Sequence, residues 1–484
     1  MFDDSTAKAL GRGGHERLMR KRRYAVLLFC ALAVWQVLFP FSAGQPSSFV
    51  YVLVHHNVFN SIKPQIEQYV KDIERDGLGA EVHEYVGGSP EEIRSTLASD
   101  YPRGLVGCLL VGDIPSAWYE MDVSYPLQPQ VTHQEFPLDL FYMDLNGIWK
   151  DTDGDGKYDQ HTGDRAPEIW VGRLKASGMA EDEVSLLKNY FAKNHAYRSG
   201  WLKLPERALI YVDDFWAHMA SEYNSAISAV FLNRTIVNDR LHTNPEDYLN
   251  RLKEGWTLVH LFVHGGSTSH HFYVNNEDSE GDVTSMDVRE NDPHAFFYVL
   301  ISCWNARYTD RDYMGGWYVF SKSYGLLAIS STKPGDMQQF TKFYYICRDR
   351  NVGTAFRTWF ADRIKDEDGG NEYTKKYFYG IIIIGDPTLY LKPSHYPTLT
   401  ETVTVPTTTT NVSITSKIDT FTSETSTLLT PLPTTSTTET TITRTTSLTG
   451  LATGVFTTEI LAAVGLVFIV LAVVGVFYLR RRGK

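Results

Sequence analysis

The sequence has little cysteine and no excess of positive charge, and each shortage excludes a class of protein. Four cysteines in 484 residues are too few for a disulfide scaffold. A formal net charge of −11 argues against a nucleic-acid partner, because proteins that bind nucleic acids usually present a basic face to the phosphates. Hydrophobic residues make up 43% of the chain, which is enough for a large buried core.

The N-terminal segment, residues 1–44, predicts export. A basic cluster at residues 20–23 precedes an apolar stretch at residues 24–41, and small residues follow it. This order is typical of a signal peptide, with cleavage expected near Ala43, and an uncleaved N-terminal anchor is the alternative. With either form the body of the protein is exported.

The C-terminal part predicts a stalk and a membrane anchor. Residues 396–455 are rich in Thr, Ser and Pro, a composition that cannot bury a core and indicates a disordered, O-glycosylated stalk. Residues 460–479 are apolar without interruption, long enough for a single transmembrane helix, and a basic tail follows them. We therefore predict an anchor in residues 456–484 that holds a glycoprotein ectodomain at the cell membrane, with sequons at Asn233 and Asn411.

Short apolar runs alternate with helical patterns between these two ends. Runs at residues 49–55, 80–86 and 105–111 are separated by amphipathic stretches, and a second such series begins at residue 208. Alternating strands and helices predict an α/β fold with mostly parallel sheets flanked by helices. We divide this region into two tandem α/β subdomains, residues 45–200 and 201–395.

Two apolar runs in the second subdomain end at chemically reactive side chains. Residues 258–263 precede His264 and a glycine pair, and residues 296–301 precede Ser302 and Cys303. Runs of this kind suit strands that are buried on both faces, and open α/β sheets carry their chemistry at the carboxyl ends of the strands. Neighbouring strands would therefore place an imidazole and a thiol at one edge, as a thiolate nucleophile requires.

Other groups could serve this pair. The main-chain amide of Gly265, with that of Cys303, could form an oxyanion hole. The apolar run at residues 208–212 ends at Asp213 and Asp214, where a carboxylate could orient the imidazole of His264; an acidic loop in solvent is the alternative. Three tryptophans are candidates for a substrate groove, although aromatic side chains are more often part of the core: Trp304, Trp317 and Trp359.

Residues 151–159 predict a calcium-binding loop with a structural role. Acidic side chains alternate along the loop, with Gly156 at its sixth position, and oxygen ligands in this pattern suit Ca²⁺. The expected ligands are Asp151, Asp153, Asp155, the main-chain carbonyl of Lys157, and Asp159. The twelfth position is Thr162 where an EF-hand has Glu, so the loop departs from that motif. An acidic turn in solvent is the alternative.

An apolar block ending in His-Gly, followed by another ending in Ser-Cys, resembles the caspase-like clan of cysteine peptidases and, within it, the gingipain family. Further matching stretches are GLVGCLLVGDIP (104–115), PEIWVGRL (167–174), LLAISST (326–332) and IIIIGDPTLYL (381–391). The caspase signature around the cysteine is absent, and no immunoglobulin-like module follows. The resemblance implies a caspase-like fold and an endopeptidase that forms an acyl-enzyme on Cys303. It also implies that residues after the strand that ends at Asp213 bind a basic P1 side chain of the substrate.

Two rival interpretations remain beside this one. A zinc site would use His260 and His264, but on a strand these residues lie roughly 13 Å apart, and Leu261 stands where a metalloprotease carries Glu. The other rival is a non-catalytic, calcium-stabilised surface adhesion or envelope-binding protein. A single bridge between Cys108 and Cys347 also stays open. The favoured prediction is a cell-surface cysteine endopeptidase that acts on protein or peptide substrates and uses no catalytic cofactor.

Overall fold

A ten-stranded sheet runs through the described part of the chain. The computed structural model describes residues 48–396, except for 126–127, 275–277, 336–338 and 367–371. The predicted signal segment, stalk and transmembrane helix lie outside these residues. Within the described ranges, no helix is long and apolar enough to cross a membrane.

The secondary structure alternates as the apolar runs predict. In chain order the strands are β1 (Phe49–His55), β2 (Gly79–Tyr85), β3 (Leu105–Val111), β4 (Trp118–Tyr125), β5 (Gln128–Pro137), β6 (Ile148–Lys150), β7 (Gln160–Thr162), β8 (Trp170–Leu174), β9 (Arg207–Val212), β10 (Asn233–Val237), β11 (Trp256–Phe262), β12 (His264–Gly266), β13 (Ser269–Val274), β14 (Asp278–Thr284), β15 (Ala295–Ile301), β16 (Leu327–Ser331) and β17 (Ile381–Gly385). The α-helices are α1 (His56–Arg75), α2 (Pro90–Asp100), α3 (Leu140–Met143), α4 (Glu183–Arg198), α5 (Ala220–Ile227), α6 (Pro245–Arg251), α7 (Ser285–Asn291), α8 (Met314–Val319), α9 (Thr341–Cys347), α10 (Val352–Asp366) and α11 (Glu372–Phe378). Short 3₁₀ helices span Tyr101–Arg103, Asp214–Met219 and Pro393–His395.

The large sheet has the strand order β10-β9-β11-β15-β16-β17-β8-β3-β1-β2. Neighbouring strands are parallel except β16 and β17, which are antiparallel. The predicted mostly parallel sheet flanked by helices is confirmed. Strands from both predicted subdomains lie in this one sheet, and the boundary at residue 200 stays a prediction. The antiparallel pair divides the sheet into halves whose strands run in opposite directions.

Burial on both faces explains the continuous apolar runs of the central strands. Every residue of β11 and of β15 is buried. Alternate side chains enter two hydrophobic clusters: Leu258 packs in one, and Val259 and Leu261 pack in the other. Such strands need no polar face, because helices cover both sides of a parallel sheet.

Two regions that read as polar loops in the sequence form small sheets. Strands β4 and β5 pair as an antiparallel hairpin, and strands β12, β13 and β14 form a separate three-stranded sheet. Cys108 and Cys347 are both free and buried, so the bridge that the sequence left open does not form.

The IIIIGDPTLYL stretch has a structural role. The buried Asp386 accepts hydrogen bonds from Arg198 Nη2 at 2.6 Å, Tyr69 Oη at 2.7 Å and Asn194 Nδ2 at 2.9 Å. A buried carboxylate is tolerated when it is paired with a cation and its oxygens accept hydrogen bonds. This cluster joins helices α1 and α4 to the end of β17.

Candidate active site

Three adjacent strands bring the predicted site residues to one edge of the sheet. Strand β11 lies between β9 and β15, in parallel register with both, and Phe262 is opposite Val212 and Ile301. The backbone bonds continue one residue further, since the Val263 amide donates to Ile301 O at 3.1 Å and the Asp213 amide to Phe262 O at 2.9 Å. His264, Cys303 and Asp213 therefore follow strands that end together.

His264, Gly265 and Cys303 line one cleft of about 470 Å³. The remaining lining residues are Tyr125, His271, Tyr273, Trp304, Pro334, Gly335 and Tyr377. Cys303 is half-buried, so its thiol is reachable from the cleft, whereas Cys108 and Cys347 are 0% and 2% exposed. Burial raises the pKa of both of these thiols, and a thiol in that condition is a poor nucleophile.

The His264 ring is held between two aromatic side chains. Its centroid lies 4.4 Å from Trp216 at an interplanar angle of 56°, and 5.3 Å from Tyr273 at 85°. Trp216 is itself stacked on Phe262, with centroids 4.5 Å apart. Packing on two sides limits the rotation of the imidazole.

Asp213 is buried beside these aromatic side chains. Its Oδ2 accepts a hydrogen bond from the Tyr273 amide at 3.3 Å, and its Oδ1 has no hydrogen-bond partner among the described residues. Burial raises the pKa of Asp213 to about 7, because a low-dielectric environment disfavours the charged form. Asp214 is half-buried and begins the 3₁₀ helix that carries Trp216. Neither aspartate lines the cleft.

Gly265 lies where a side chain would not fit. A Cβ atom at this position would be 2.1 Å from Ser302 Oγ and 2.7 Å from the Ser269 carbonyl oxygen. The glycine therefore lets strand β12 approach the loop that carries Cys303, and the close approach brings its backbone to the cleft.

The residues that form the opposite wall of the cleft were not predicted from the sequence. Tyr125 comes from the end of β4, and Pro334 and Tyr377 flank the antiparallel pair β16 and β17. Behind them, the buried Lys333 donates through Nζ to the carbonyl oxygens of Pro334, at 2.8 Å, and Lys376. Burial lowers the pKa of Lys333 to about 7. These residues belong to no local motif that would have revealed them.

The three tryptophans have different environments. Trp304 lines the cleft, while Trp317 and Trp359 are 1% and 0% exposed and belong to the two hydrophobic clusters. The sequence alone could not separate them, because all three lie close to apolar residues.

The predicted calcium loop brings carboxylates together. One ligand atom from each of Asp151, Asp153 and Asp155 lies within 4.8 Å of the others. Asp153 and Asp159 form a second such group with Glu120, a residue of β4 that the sequence pattern did not suggest. All of these donors are carboxylate oxygens, which fit a hard cation such as Ca²⁺.

A cation of the protein itself also lies within this cluster. The Lys157 ammonium forms ion pairs with Asp155, with Glu135 at 3.2 Å and with Glu120 at 3.6 Å. Hydrogen bonds from the amides of Gly156 and Gly154 lower the pKa of Asp151. A bound metal would share these carboxylates with the lysine.

The rival zinc site gains no support from the described residues. The groups of three or more possible metal ligands found among them lie between residues 120 and 159, and none includes His260 or His264. His260 is buried in strand β11 and bonds Tyr344 Oη through Nδ1 at 2.7 Å. Burial lowers the pKa of His260 to about 3, so this imidazole is a neutral core residue.

Comparison with known proteins identifies the family of this chain. Residues 68–392 match peptidase family C25, while the comparison with curated protein sequences gave no match. The crystal structure of the Arg-specific cysteine proteinase gingipain R matches with a TM-score of 0.52 and 14% identity, over 73% of this chain and 81% of that chain. This structural match shows a shared caspase-like α/β fold. The family match covers most of the sequence, and the chain therefore belongs to peptidase family C25, the gingipain family, and is a cysteine peptidase.

Proposed function

We propose that the protein is an endopeptidase in which Cys303 is the nucleophile and His264 is the general acid and base. The observation that carries this proposal is that both side chains line one cleft at the ends of adjacent parallel strands. The other two thiols in the described residues are buried, so Cys303 is the cysteine available to substrate.

The proposed reaction has two stages. The thiolate of Cys303 attacks the carbonyl carbon of the scissile bond, and the amides of Gly265 and Cys303 donate hydrogen bonds to the oxyanion. His264 then protonates the leaving amine, which leaves a thioester on Cys303. In the second stage His264 removes a proton from water, and the water oxygen attacks the thioester to release the acid and the thiolate of Cys303, with His264 again protonated.

We assign the orienting carboxylate to Asp213 rather than Asp214. Asp213 is buried, and it accepts a hydrogen bond from the main chain of Tyr273, whose ring contacts His264. A carboxylate in this place would stabilise the imidazolium that forms during catalysis. A P1-binding role for either aspartate stays a prediction. The gingipain R of the comparison is described as Arg-specific, and a basic P1 side chain is the corresponding proposal for this chain.

We also propose that the loop at residues 151–159 binds Ca²⁺ with a structural role. The convergence of Asp151, Asp153 and Asp155 supports this assignment, and Glu120 and Asp159 are further ligand candidates. A cation would offset the repulsion among these carboxylates. The loop contacts the β4 strand, because the Glu120 amide donates to Tyr158 O at 2.8 Å. The ion would therefore stabilise the hairpin that brings Tyr125 to the cleft.

We further propose that the enzyme acts at the cell surface. The proposal rests on the sequence of residues 1–44 and 456–484, which lie outside the described residues. A tethered peptidase on a stalk would reach soluble or neighbouring surface proteins.

Replacement of the two proposed catalytic residues should separate their roles. We expect Cys303→Ala to abolish peptide cleavage and labelling by a thiol-reactive peptidyl probe, because the nucleophile is lost. His264→Ala should slow cleavage by about 10²–10⁴-fold, the usual contribution of a general acid and base. His242→Ala, which removes an exposed imidazole paired with Asp239, is the control. Equal cleavage by Cys303→Ala and the wild type would refute the proposal.

The raised pKa of Asp213 predicts a pH-dependent stability. Below about pH 4 the carboxyl is protonated in both the folded and the unfolded state, and the folded protein bears no penalty. As the pH rises to about 7, the unfolded chain ionises more readily, so the wild type loses stability. The stability gain of Asp213→Asn over the wild type should therefore grow between about pH 4 and 7 and level off above.

Chemical denaturation at several pH values measures this difference. Asp239→Asn is the control, because a hydrogen bond with His242 lowers the pKa of that exposed carboxyl. It should show no such gain. A difference between Asp213→Asn and the wild type that does not vary with pH would contradict the assignment. The same variant should cleave peptides on the order of 10-fold or more slowly, because an amide cannot stabilise the imidazolium.

Removal of Ca²⁺ should lower the melting temperature of the ectodomain. A ligand at 100 times its dissociation constant stabilises the folded state by about 2.7 kcal/mol, so EDTA should cause a shift of several degrees that added Ca²⁺ reverses. Asp153→Asn should reduce this shift, because Asp153 belongs to both carboxylate groups. Asp164→Asn, an exposed aspartate outside the loop, should keep the full shift. A melting temperature that EDTA leaves unchanged would refute the proposed metal site.

Deletion of residues 456–484 should release the protein into the medium of an exporting host. The full chain should remain in the membrane fraction after alkaline carbonate washing, and a membrane-impermeant label should reach its ectodomain. Fractionation with immunoblotting measures both. Recovery of the full chain as a soluble protein would contradict the anchor.

A further inference from the structure

The chain makes a strained turn directly after Cys303. Trp304 has a φ of 60°, in the left-handed region where a residue with a side chain costs about 1–3 kcal/mol. Its amide donates to the Lys333 carbonyl oxygen at 3.2 Å, and its side chain lines the cleft. A conformation of this kind persists only when its surroundings hold it in place.

The side chain that follows this turn connects it to the loop of His264. Asn305 is 0% exposed. Its Nδ2 donates to the carbonyl oxygens of Gly266 at 2.6 Å, Ser269 at 3.3 Å and Cys303 at 3.3 Å. Two of these acceptors belong to the β12–β13 hairpin, in which His264 pairs with His271, and the third is the carbonyl of Cys303 itself.

The three acceptors fix the orientation of this amide. Carbonyl oxygens can only accept, so the NH₂ group of Asn305 must face them. Its Oδ1 has no hydrogen-bond partner among the described residues. An aspartate of the same shape would place a carboxylate oxygen against three carbonyl oxygens. The site therefore requires a hydrogen-bond donor, and a side chain of the same size without one would not replace Asn305.

The connection lies where the sheet no longer holds the two loops together. Strands β11 and β15 are joined by backbone bonds up to the pair formed by Val263 and Ile301. Beyond that pair the chain diverges into the loop of Cys303 and the hairpin of His264. The buried side chain of Asn305 bridges the loop and the hairpin. Its main-chain carbonyl accepts a hydrogen bond from the Gly315 amide at 2.8 Å.

We propose that Asn305 is a positioning residue that fixes the turn of Cys303 against the hairpin of His264 and Gly265. The proposal rests on the proposed function, because Asn305 can position these residues for catalysis only if they react together. Asn305 does not line the cleft. It maintains the separation between nucleophile, imidazole and oxyanion hole, and an error of about 1 Å in such a separation can cost about 10²-fold in rate.

The test compares Asn305→Asp and Asn305→Ser with the wild type in the purified full-length protein. We expect kcat for a peptide substrate to fall about 10²-fold in Asn305→Asp, with KM changed by less than about threefold, because the cleft walls do not involve this side chain. Asn305→Ser keeps one short donor and should show a smaller loss. Asn305→Asp should regain activity relative to the wild type as the pH falls, since a protonated carboxyl can donate.

Alkylation by iodoacetamide gives a second measurement that does not depend on substrate binding. The pH profile of Cys303 alkylation should move to higher pH in Asn305→Asp and Asn305→Ser, because the imidazole is no longer held where it favours the thiolate. A merely structural role would lower the melting temperature and leave this profile in place. If Asn305→Asp does not fold, the profile and kcat of Asn305→Ser decide the matter.

Asn291→Asp is the matched control. Asn291 also donates through Nδ2 to a main-chain carbonyl, that of Leu249 at 2.9 Å, and also has an unpartnered buried Oδ1. It lies at the end of helix α7 and does not line the cleft, so kcat should stay within about twofold of the wild type. Cys303→Ala, assayed in parallel, separates the two proposals. If Cys303→Ala is inactive while the Asn305 variants keep the wild-type kcat and alkylation profile, only the positioning role is refuted.

Discussion

The parallel pairing of β11 with β15 is the constraint on which the proposed catalytic cleft depends. Strands rise about 3.3 Å per residue, so a slip of one residue would move Cys303 along the edge by about that distance. It would also exchange the faces of every side chain in the strand. Both strands are buried on both faces, and their alternate residues fill two different clusters. The packing of the core therefore sets the separation of the reactive groups.

Three features that cost folding free energy lie at the edge where these strands end. Asp213 is buried with an oxygen that has no partner among the described residues, the backbone of Trp304 has a left-handed conformation, and the Lys333 side chain is buried. Each costs folding free energy by a known mechanism. The interior of β11 and β15 is mostly apolar, and its polar side chains include the buried Thr257 and His260. Departures of this kind are expected at functional sites, where selection for chemistry outweighs selection for stability.

The sequence was sufficient to predict that the candidate site residues that follow a strand lie together. The apolar runs before His264, Cys303 and Asp213 ended where the strands end, and the adjacency of the strands brought their ends together. The sequence could not supply the residues that come from elsewhere. Tyr125 lies in a hairpin whose polar residues read as a loop, and Glu120 approaches the predicted calcium loop only through the fold. Such contacts depend on residues far apart in the chain, for which one sequence has no signal.

The antiparallel contact between β16 and β17 explains where those distant residues come from. Because β17 runs against β16, the start of β17 lies at the same edge as the end of β16, and the Thr332 amide donates to Gly380 O at 2.9 Å. Strand β8 is parallel to β17 and begins at this edge too. Segments that enter β17 and β8 therefore approach the edge of His264 and Cys303, and one of them contributes Tyr377 to the cleft. The half that ends at β16 thus supplies the proposed catalytic groups after its strands, and the other half adds wall residues that precede its strands.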